Sequence, residues 1–231
     1  MNGQYTLKKI AEIRSDFPTK FGIPRQSGLV SDLQARIVFE PEYRNPDALR
    51  GLEEYSHIWL IWQFSEAVRD SWSPTVRPPK LGGNLRKGVF ATRSPFRPNA
   101  LGLSCVRLLQ VIPDSQEGPV ILVSGADLMD RTPIYDIKPY VPYADCYPEA
   151  EESFTGHTGS IRLQVEDPKD CLLLLPADKR EALSGVLSQD PRPGYQRDPE
   201  RIYGFPFAGY EVKFRVAEEI VTICSIERKE Q

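Results

Sequence analysis

At 231 residues, with 40% hydrophobic and 26% charged side chains and a net charge of −3, the chain has the balance of a globular protein that buries a core of its own. No stretch approaches the roughly 20 apolar residues of a membrane span, and Met1–Lys9 lacks an apolar run of signal-peptide length. The four cysteines, Cys105, Cys146, Cys171 and Cys224, stand far apart in no metal-ligand spacing, so the expectation is a cytoplasmic protein with buried free thiols, no metal and no membrane contact.

Short runs rich in Val, Ile, Phe, Tyr and Trp recur between Pro, Gly and Asn, which predicts strands over Leu7–Arg14, Ala35–Phe39, His57–Phe64, Gly88–Arg93, Leu103–Ile112 and Val120–Ala126. Between the second and third, Asp47–Tyr55 is expected to form a helical turn, with Asp47 as N-cap after Pro46. Composition changes near Ala150–Thr158, a linker-like stretch that includes His157. Beyond it the pattern predicts strands Gly159–Val165 and Cys171–Leu175. A helix follows over Ala177–Gln189, striped by Leu183, Val186 and Leu187, then a Pro-rich loop over Asp190–Glu200 and strands Tyr210–Val216 and Ile220–Ile226. The fold expected is mainly β: a barrel over residues 1–150 and a small α+β domain over 158–231.

Several common chemistries are absent. There are two histidines, His57 and His157, and no Gly-x-Ser-x-Gly elbow, Walker loop or Gly-x-Gly-x-x-Gly after a strand. The ordinary phosphate-cradling nucleotide folds are therefore disfavoured, whereas a nucleotide-like cofactor on another architecture is not.

Charge is unevenly spread. From Arg77 to Pro113 there are seven basic side chains (Arg77, Lys80, Arg86, Lys87, Arg93, Arg97 and Arg107) and no Asp or Glu. In a net-acidic chain, such segregation points to a polyanion, because local potential governs binding. At the centre of this segment is Arg93-Ser94-Pro95-Phe96-Arg97-Pro98-Asn99. Its prolines fix φ and bias the preceding residues towards extended conformations, so Arg93 and Arg97 are carried on a stiff loop that loses little entropy on binding. Two further blocks concentrate polar groups: Phe21-Gly22-Ile23-Pro24-Arg25-Gln26, and the run from Asp127 through Asp130 to Asp136, Lys138 and Tyr140. In an extended chain, Asp136, Lys138 and Tyr140 share a face, either as a site or as a structural ion pair.

At these blocks the chain resembles the TsaA-like (formerly VirR-like) tRNA methyltransferases. The likeness rests on Arg93–Asn99 followed by Leu101-Gly102-Leu103, on Asp127-Leu128-Met129-Asp130 leading to Asp136-Ile137-Lys138-Pro139-Tyr140, and on Pro24-Arg25-Gln26, Ser56-His57-Ile58-Trp59 and Asp190–Gln196. It implies a β-barrel enzyme that uses S-adenosylmethionine to methylate the exocyclic nitrogen of threonylcarbamoyladenosine beside the anticodon, and that works as a homodimer. Cofactor contacts are implied at Pro24, Arg25, Gln26, Arg93, Leu103 and Asp127, Leu128, Met129 and Asp130, with Ser65 and Glu66 added by position. Other members often carry His-Glu at the latter pair.

On that reading Asp127 or Asp130 accepts hydrogen bonds from the cofactor, and Arg25 or Arg93 pairs with its carboxylate. Asp136 accepts the amine proton, oriented by Lys138 or Tyr140. Arg77, Lys80, Arg86, Lys87 and Arg97 contact RNA, joined by Arg192 and Tyr195 (with Arg197 and Arg201) of the C-terminal loop. Phe96, Tyr135 and Tyr140 are the stacking candidates for anticodon-loop bases. The alternative is a non-catalytic RNA-binding β-barrel, in which the Asp127–Tyr140 block merely closes the barrel.

Overall fold

Alternation of apolar and polar residues with period two builds a closed wall. In the computed structural model, which describes residues 5–78, 85–151, 162–192, 196 and 198–229, β1 (Ala11–Arg14), β2 (Gln34–Phe39) and β3 (His57–Gln63) are followed by a two-residue-stranded hairpin, β4 (Thr75–Val76) and β5 (Lys87–Gly88). Then come β6 (Leu101–Ile112), β7 (Val120–Ser124), β8 (Pro133–Pro139) and a single helical turn, α1 (Pro142–Asp145). The barrel closes in the order β1-β2-β7-β6-β3-β8, antiparallel throughout. Ile58, Leu60 and Trp62 of β3 point inward with Ile13, Ile37, Val106, Ile121, Val123, Leu128 and Ile134. Closure leaves these six strands no free edge.

The remaining strands form a second sheet. Here β9 (Gln164–Glu166), α2 (Ala177–Ser188), β10 (Tyr203–Phe207), β11 (Tyr210–Ala217) and β12 (Ile220–Arg228) assemble in the order β10-β11-β12-β9, with β9 parallel to β12. One face of the sheet packs on Ala182, Leu183, Val186 and Leu187 of α2. Its core is not self-sufficient: Phe17, Val30 and Leu33, from the connection between β1 and β2, are buried in it. At Gly22, φ is +95° and an added Cβ would lie 2.5 Å from the Phe205 ring, so only glycine lets the connection pass that close to β10. Across the seam, Lys179 donates to Asp16 at 2.8 Å and Ala208 N–H to the Asp16 carbonyl at 2.9 Å.

Several sequence expectations are corrected. The first strand begins at Ala11 rather than Leu7. Gly88–Arg93 is not a strand. After Gly88 the chain turns into a 3-10 segment, Val89–Ala91, closed by Thr92, whose N–H and hydroxyl both bond the Val89 carbonyl. The N-cap before Pro46 is Asn45, whose side chain accepts the Asp47 N–H; two 3-10 turns, Pro46–Leu49 and Leu52–Glu54, flank Gly51 at φ +83°. Cys171–Leu174 is a 3-10 turn, because the Asp167 carboxylate accepts from both Cys171 N–H and Leu172 N–H. Of the thiols, Cys171 is buried, Cys105 and Cys224 are half-buried and Cys146 is exposed. Strand β10 escaped the sequence reading because Gly204 and Pro206 interrupt it; in the sheet order it pairs only with β11, where proline is tolerated. The Ala150–Thr158 linker mostly, and the start of the Gly159–Val165 strand, lie outside the described residues. Among the described residues no helix is long and apolar enough to cross a membrane.

Candidate active site

Two glycines bring distant connections together. Gly28 N–H donates to the Gly125 carbonyl, and Gly125 N–H to the Leu33 carbonyl, each at 2.8 Å. Gly125 has φ +75°, and a Cβ there would stand 3.1 Å from Gly28 Cα. This close backbone contact sets Pro24–Ser27 against the turn that begins at Asp127. Pro24 is buried, Arg25 exposed and Gln26 half-buried. Arg93, arriving from the basic segment, donates through Nη1 to Gln26 Oε1. Gln26 Nε2 donates to the Arg25 carbonyl at 2.6 Å, and Arg25 Nη2 to the Arg192 carbonyl at 3.3 Å. Four segments far apart in sequence thus meet near one end of the barrel.

Asp127 is the acidic member of this meeting. Burial pushes its carboxyl above the usual carboxylate range, opposed by a hydrogen bond from Ser104, by the Arg93 charge and by the Ser27 N–H. Ser104 Oγ donates to Asp127 Oδ1 at 2.6 Å. The rest of the turn is differently employed. Leu128 is 1% exposed inside the barrel and its carbonyl accepts from Ser15 Oγ at 2.9 Å. The Met129 carbonyl accepts from Thr132 Oγ1 at 2.7 Å. Asp130 Oδ1 accepts the Ser15 N–H at 3.0 Å, and Asp130 N–H donates to the Phe17 carbonyl, so this carboxylate ties down the chain leaving β1. Of the two aspartates left open by the sequence, Asp127 is the one beside Arg93, while Asp130 pairs with Arg131 at 3.7 Å.

The second acidic group lies on the outer wall. Asp136 and Lys138 share one face of β8 as a 3.0 Å ion pair, and Asp136 Oδ1 accepts the Ile137 N–H at 2.9 Å. Asp136 is in register with Ile61, itself in register with Leu103, so the row Leu103-Ile61-Asp136 crosses three strands. Leu103 is 55% exposed at its end. Tyr140 packs its ring against Trp59 and His57, with centroids 5.8 and 6.2 Å away. Tyr135 is the extra residue of a β-bulge opposite Ile61 and Trp62, and its hydroxyl donates to Gln63 Oε1. Ser65 and Glu66 are exposed in the turn just past Phe64.

The basic segment hangs beside this end of the barrel. Arg77 and Arg86 are exposed, Lys87 and Arg97 half-buried; Arg97 Nη1 bonds the Thr92 carbonyl at 3.0 Å. Arg192 is held by Asp190 and the Val216 carbonyl. Lys80, Tyr195, Arg197 and His157 lie outside the described residues, while Arg201 stands 5.4 Å from the Tyr203 ring centre. Sequence reasoning missed Trp72 and Phe90. They are 52% and 72% exposed, with ring centroids 6.1 Å apart beside the β4–β5 hairpin. Phe96 is covered on one side by the Arg69 guanidinium, 3.9 Å from its centre. The missed signal was aromatic residues at the edge of, and within, a run without acids. No cluster of three metal-ligating side chains occurs among the described residues.

The chain is similar to known proteins over nearly its whole length. Residues 12–146 match the model of the tRNA-methyltransferase O N-terminal domain, and residues 173–229 that of the TrmO C-terminal domain. A tRNA (adenine(37)-N6)-methyltransferase of Escherichia coli is 38% identical over 232 residues, covering 96% of this chain and 98% of its own. A putative S-adenosylmethionine-dependent methyltransferase of Pseudomonas aeruginosa, RcsF, is 40% identical over 87% of each chain. The crystal structure of TrmO from P. aeruginosa superposes with a TM-score of 0.79 at 30% identity, covering 99% of both chains.

Proposed function

The chain belongs to the tRNA-methyltransferase O family, and on that premise we propose that it methylates the exocyclic nitrogen of threonylcarbamoyladenosine in the anticodon loop of tRNA. The activity at its coarser level is that of a tRNA adenine N6-methyltransferase, with S-adenosylmethionine as methyl donor. The observation that carries the reading is the convergence of Arg93, Gln26 and Asp127, brought by three separate connections to one end of a barrel.

That donor set suits the methyl donor. Its amino-acid arm carries an ammonium and a carboxylate, and the site offers the Asp127 carboxylate beside the Arg93 guanidinium, with Arg25 on the adjoining connection. Asp127 would take the ammonium, and Arg93 or Arg25 the carboxylate. Pro24, Gln26, Leu103 and the backbone of Leu128, Met129 and Asp130 would line the rest, with Ser65 and Glu66 at the rim. Bound S-adenosylmethionine supplies an electrophilic methyl group on a sulfonium centre. What the side chains contribute is alignment, which in favourable cases is worth about 7–11 kcal/mol. On the outer wall, Asp136 accepts an N–H of the target amine, returning electron density to nitrogen, while the Lys138 ammonium keeps the carboxylate oriented. Tyr140 borders them.

The RNA lies along the basic segment. Arg77, Lys80, Arg86, Lys87 and Arg97 neutralise phosphates, and the exposed Trp72–Phe90 pair offers faces on which unpaired bases stack. Arg192 and Tyr195 extend the track. Two copies associate in this proposal, supported by Leu103 and Leu109, both exposed on β6; light scattering at micromolar concentration checks it, and a monomer removes that part. The central test is nucleoside mass spectrometry of tRNA incubated with protein and S-adenosylmethionine. A gain of one methyl on the threonylcarbamoylated nucleoside, absent from tRNA lacking that group, is expected. Methylation of both tRNAs would refute the substrate, and of neither the enzyme reading.

A further inference from the structure

Among the described residues, a polar path crosses the apolar interior of the barrel and ends at the candidate site. Trp62 faces inward on β3, 5% exposed, in register with Gly102 of β6. A Cβ at position 102 would stand 2.3–2.7 Å from the indole, so glycine is what lets the ring lie flat across β6. Phe64 closes over it, ring centroids 4.2 Å apart. Lying so, Trp62 Nε1 reaches diagonally to Ser104, two residues beyond its register partner, and donates to Oγ at 2.9 Å. Ser104 is 1% exposed, and its hydroxyl donates onward to Asp127 Oδ1 at 2.6 Å.

The direction of this path is fixed by chemistry. An indole N–H can only donate. Ser104 Oγ therefore accepts from Trp62, and its single proton is left for Asp127. The Asp127 oxygen it meets must act as an acceptor, and in the ionised form the second oxygen is an acceptor as well. A buried serine that served packing alone would be satisfied by one backbone carbonyl. Here the hydroxyl is instead committed on both sides, and the charged partner stands where the Pro24–Ser27 connection and Arg93 converge.

Resting on the donor-site reading above, we infer that Trp62 and Ser104 are positioning residues that hold one oxygen of Asp127 so that the other is presented to a cationic group, the ammonium of the methyl donor's amino-acid arm. The same bond favours the charged form of a carboxyl that burial otherwise pushes up, and Arg93 is the charged side chain that acts with it.

The test uses the full-length protein and calorimetric titration with S-adenosylhomocysteine and with 5′-methylthioadenosine, which lacks the amino-acid arm. Ser104→Ala is expected to weaken S-adenosylhomocysteine binding about tenfold or more, the scale of one charge-assisted hydrogen bond, and to leave 5′-methylthioadenosine within about twofold. Trp62→Phe removes the N–H together with the pyrrole half of the indole, so its melting temperature is measured alongside; where it is folded it should weaken S-adenosylhomocysteine about threefold and leave 5′-methylthioadenosine unchanged. The double variant should be no worse than Ser104→Ala alone, because the two groups act in series. In turnover, Ser104→Ala should raise KM for the donor far more than it lowers kcat. Equal loss of both ligands, or additive losses in the double variant, would make the path structural and overturn the inference. So would unchanged S-adenosylhomocysteine affinity in Ser104→Ala. Failure of the wild type to bind S-adenosylhomocysteine would instead overturn the donor reading itself, and this inference with it.

Discussion

The barrel fills its interior with residues of its own strands and closing turn, Ile13, Ile37, Leu60, Ile121 and Leu128 among them, whereas the C-terminal sheet takes Phe17, Val30 and Leu33 from the connection between β1 and β2. That connection also carries Pro24, Arg25 and Gln26. The smaller sheet is thus the floor on which one wall of the candidate site rests. A sheet this small buries too little by itself, and borrowing large apolar side chains from the preceding domain supplies the missing core.

The comparison can be broken by emptying each core in turn. Phe205→Ala and Ile37→Ala should each cost about 2–5 kcal/mol of stability, read from denaturant unfolding. Only Phe205→Ala should also weaken methyl-donor binding where both variants are still folded, since Phe205 packs against Phe21 and Gly22. Equal donor affinity in the two would show that the smaller sheet does not shape the site. Next in size is Gly22→Ala, which combines a positive φ with a clash on Phe205 and should destabilise by about 2–4 kcal/mol.

The seam gives a smaller effect with a pH signature. Lys179→Met leaves the Asp16 carboxylate without its cation, at a cost of about 1–3 kcal/mol at neutral pH. Burial already raises the Asp16 carboxyl, and Lys179 opposes that rise. A raised folded-state value means the folded protein binds the proton more tightly than the unfolded one. Stability therefore falls as pH climbs from the unfolded carboxylate range through the folded value. The variant should show this fall more steeply than the wild type, in melting temperatures measured from pH 4 to 8; parallel curves would remove Asp16 as the cause. Smallest is a contrast of surfaces. Trp72→Ala should weaken tRNA binding about fivefold to tenfold without moving the melting temperature. Arg192→Ala, which loses its bonds to Asp190 and Val216, should lower the melting temperature, and weaken tRNA binding by less than Trp72→Ala does.

How far the sequence foretold this depends on what each residue faces. Strands β3 and β6 were legible because Ile58, Leu60 and Trp62, and Val106 and Leu108, alternate cleanly between core and exterior. The Arg93–Asn99 loop was legible from its prolines. What period two could not reveal was any partner across the fold. Phe17 and Val30 resemble ordinary barrel residues until the second sheet is seen to enclose them. Ser104 sits mid-strand among apolar neighbours, with nothing local to distinguish it from a packing serine. Its meaning depends on Trp62 and Asp127, brought to it only by register and closure.

The register partners Gln63 and Leu101, extended by the Phe64–Ala100 hydrogen bond, place both ends of the excursion that carries most of the basic segment on adjacent, paired strands. The whole excursion, residues 64–100, is topologically a single hairpin loop. Its ends are spaced by the sheet and not by its own contents, and loop-closure entropy grows only slowly with length. The segment is therefore a cassette in its topology: its length can change at little entropic cost while the barrel keeps its register, so long as Arg93 still returns to Gln26.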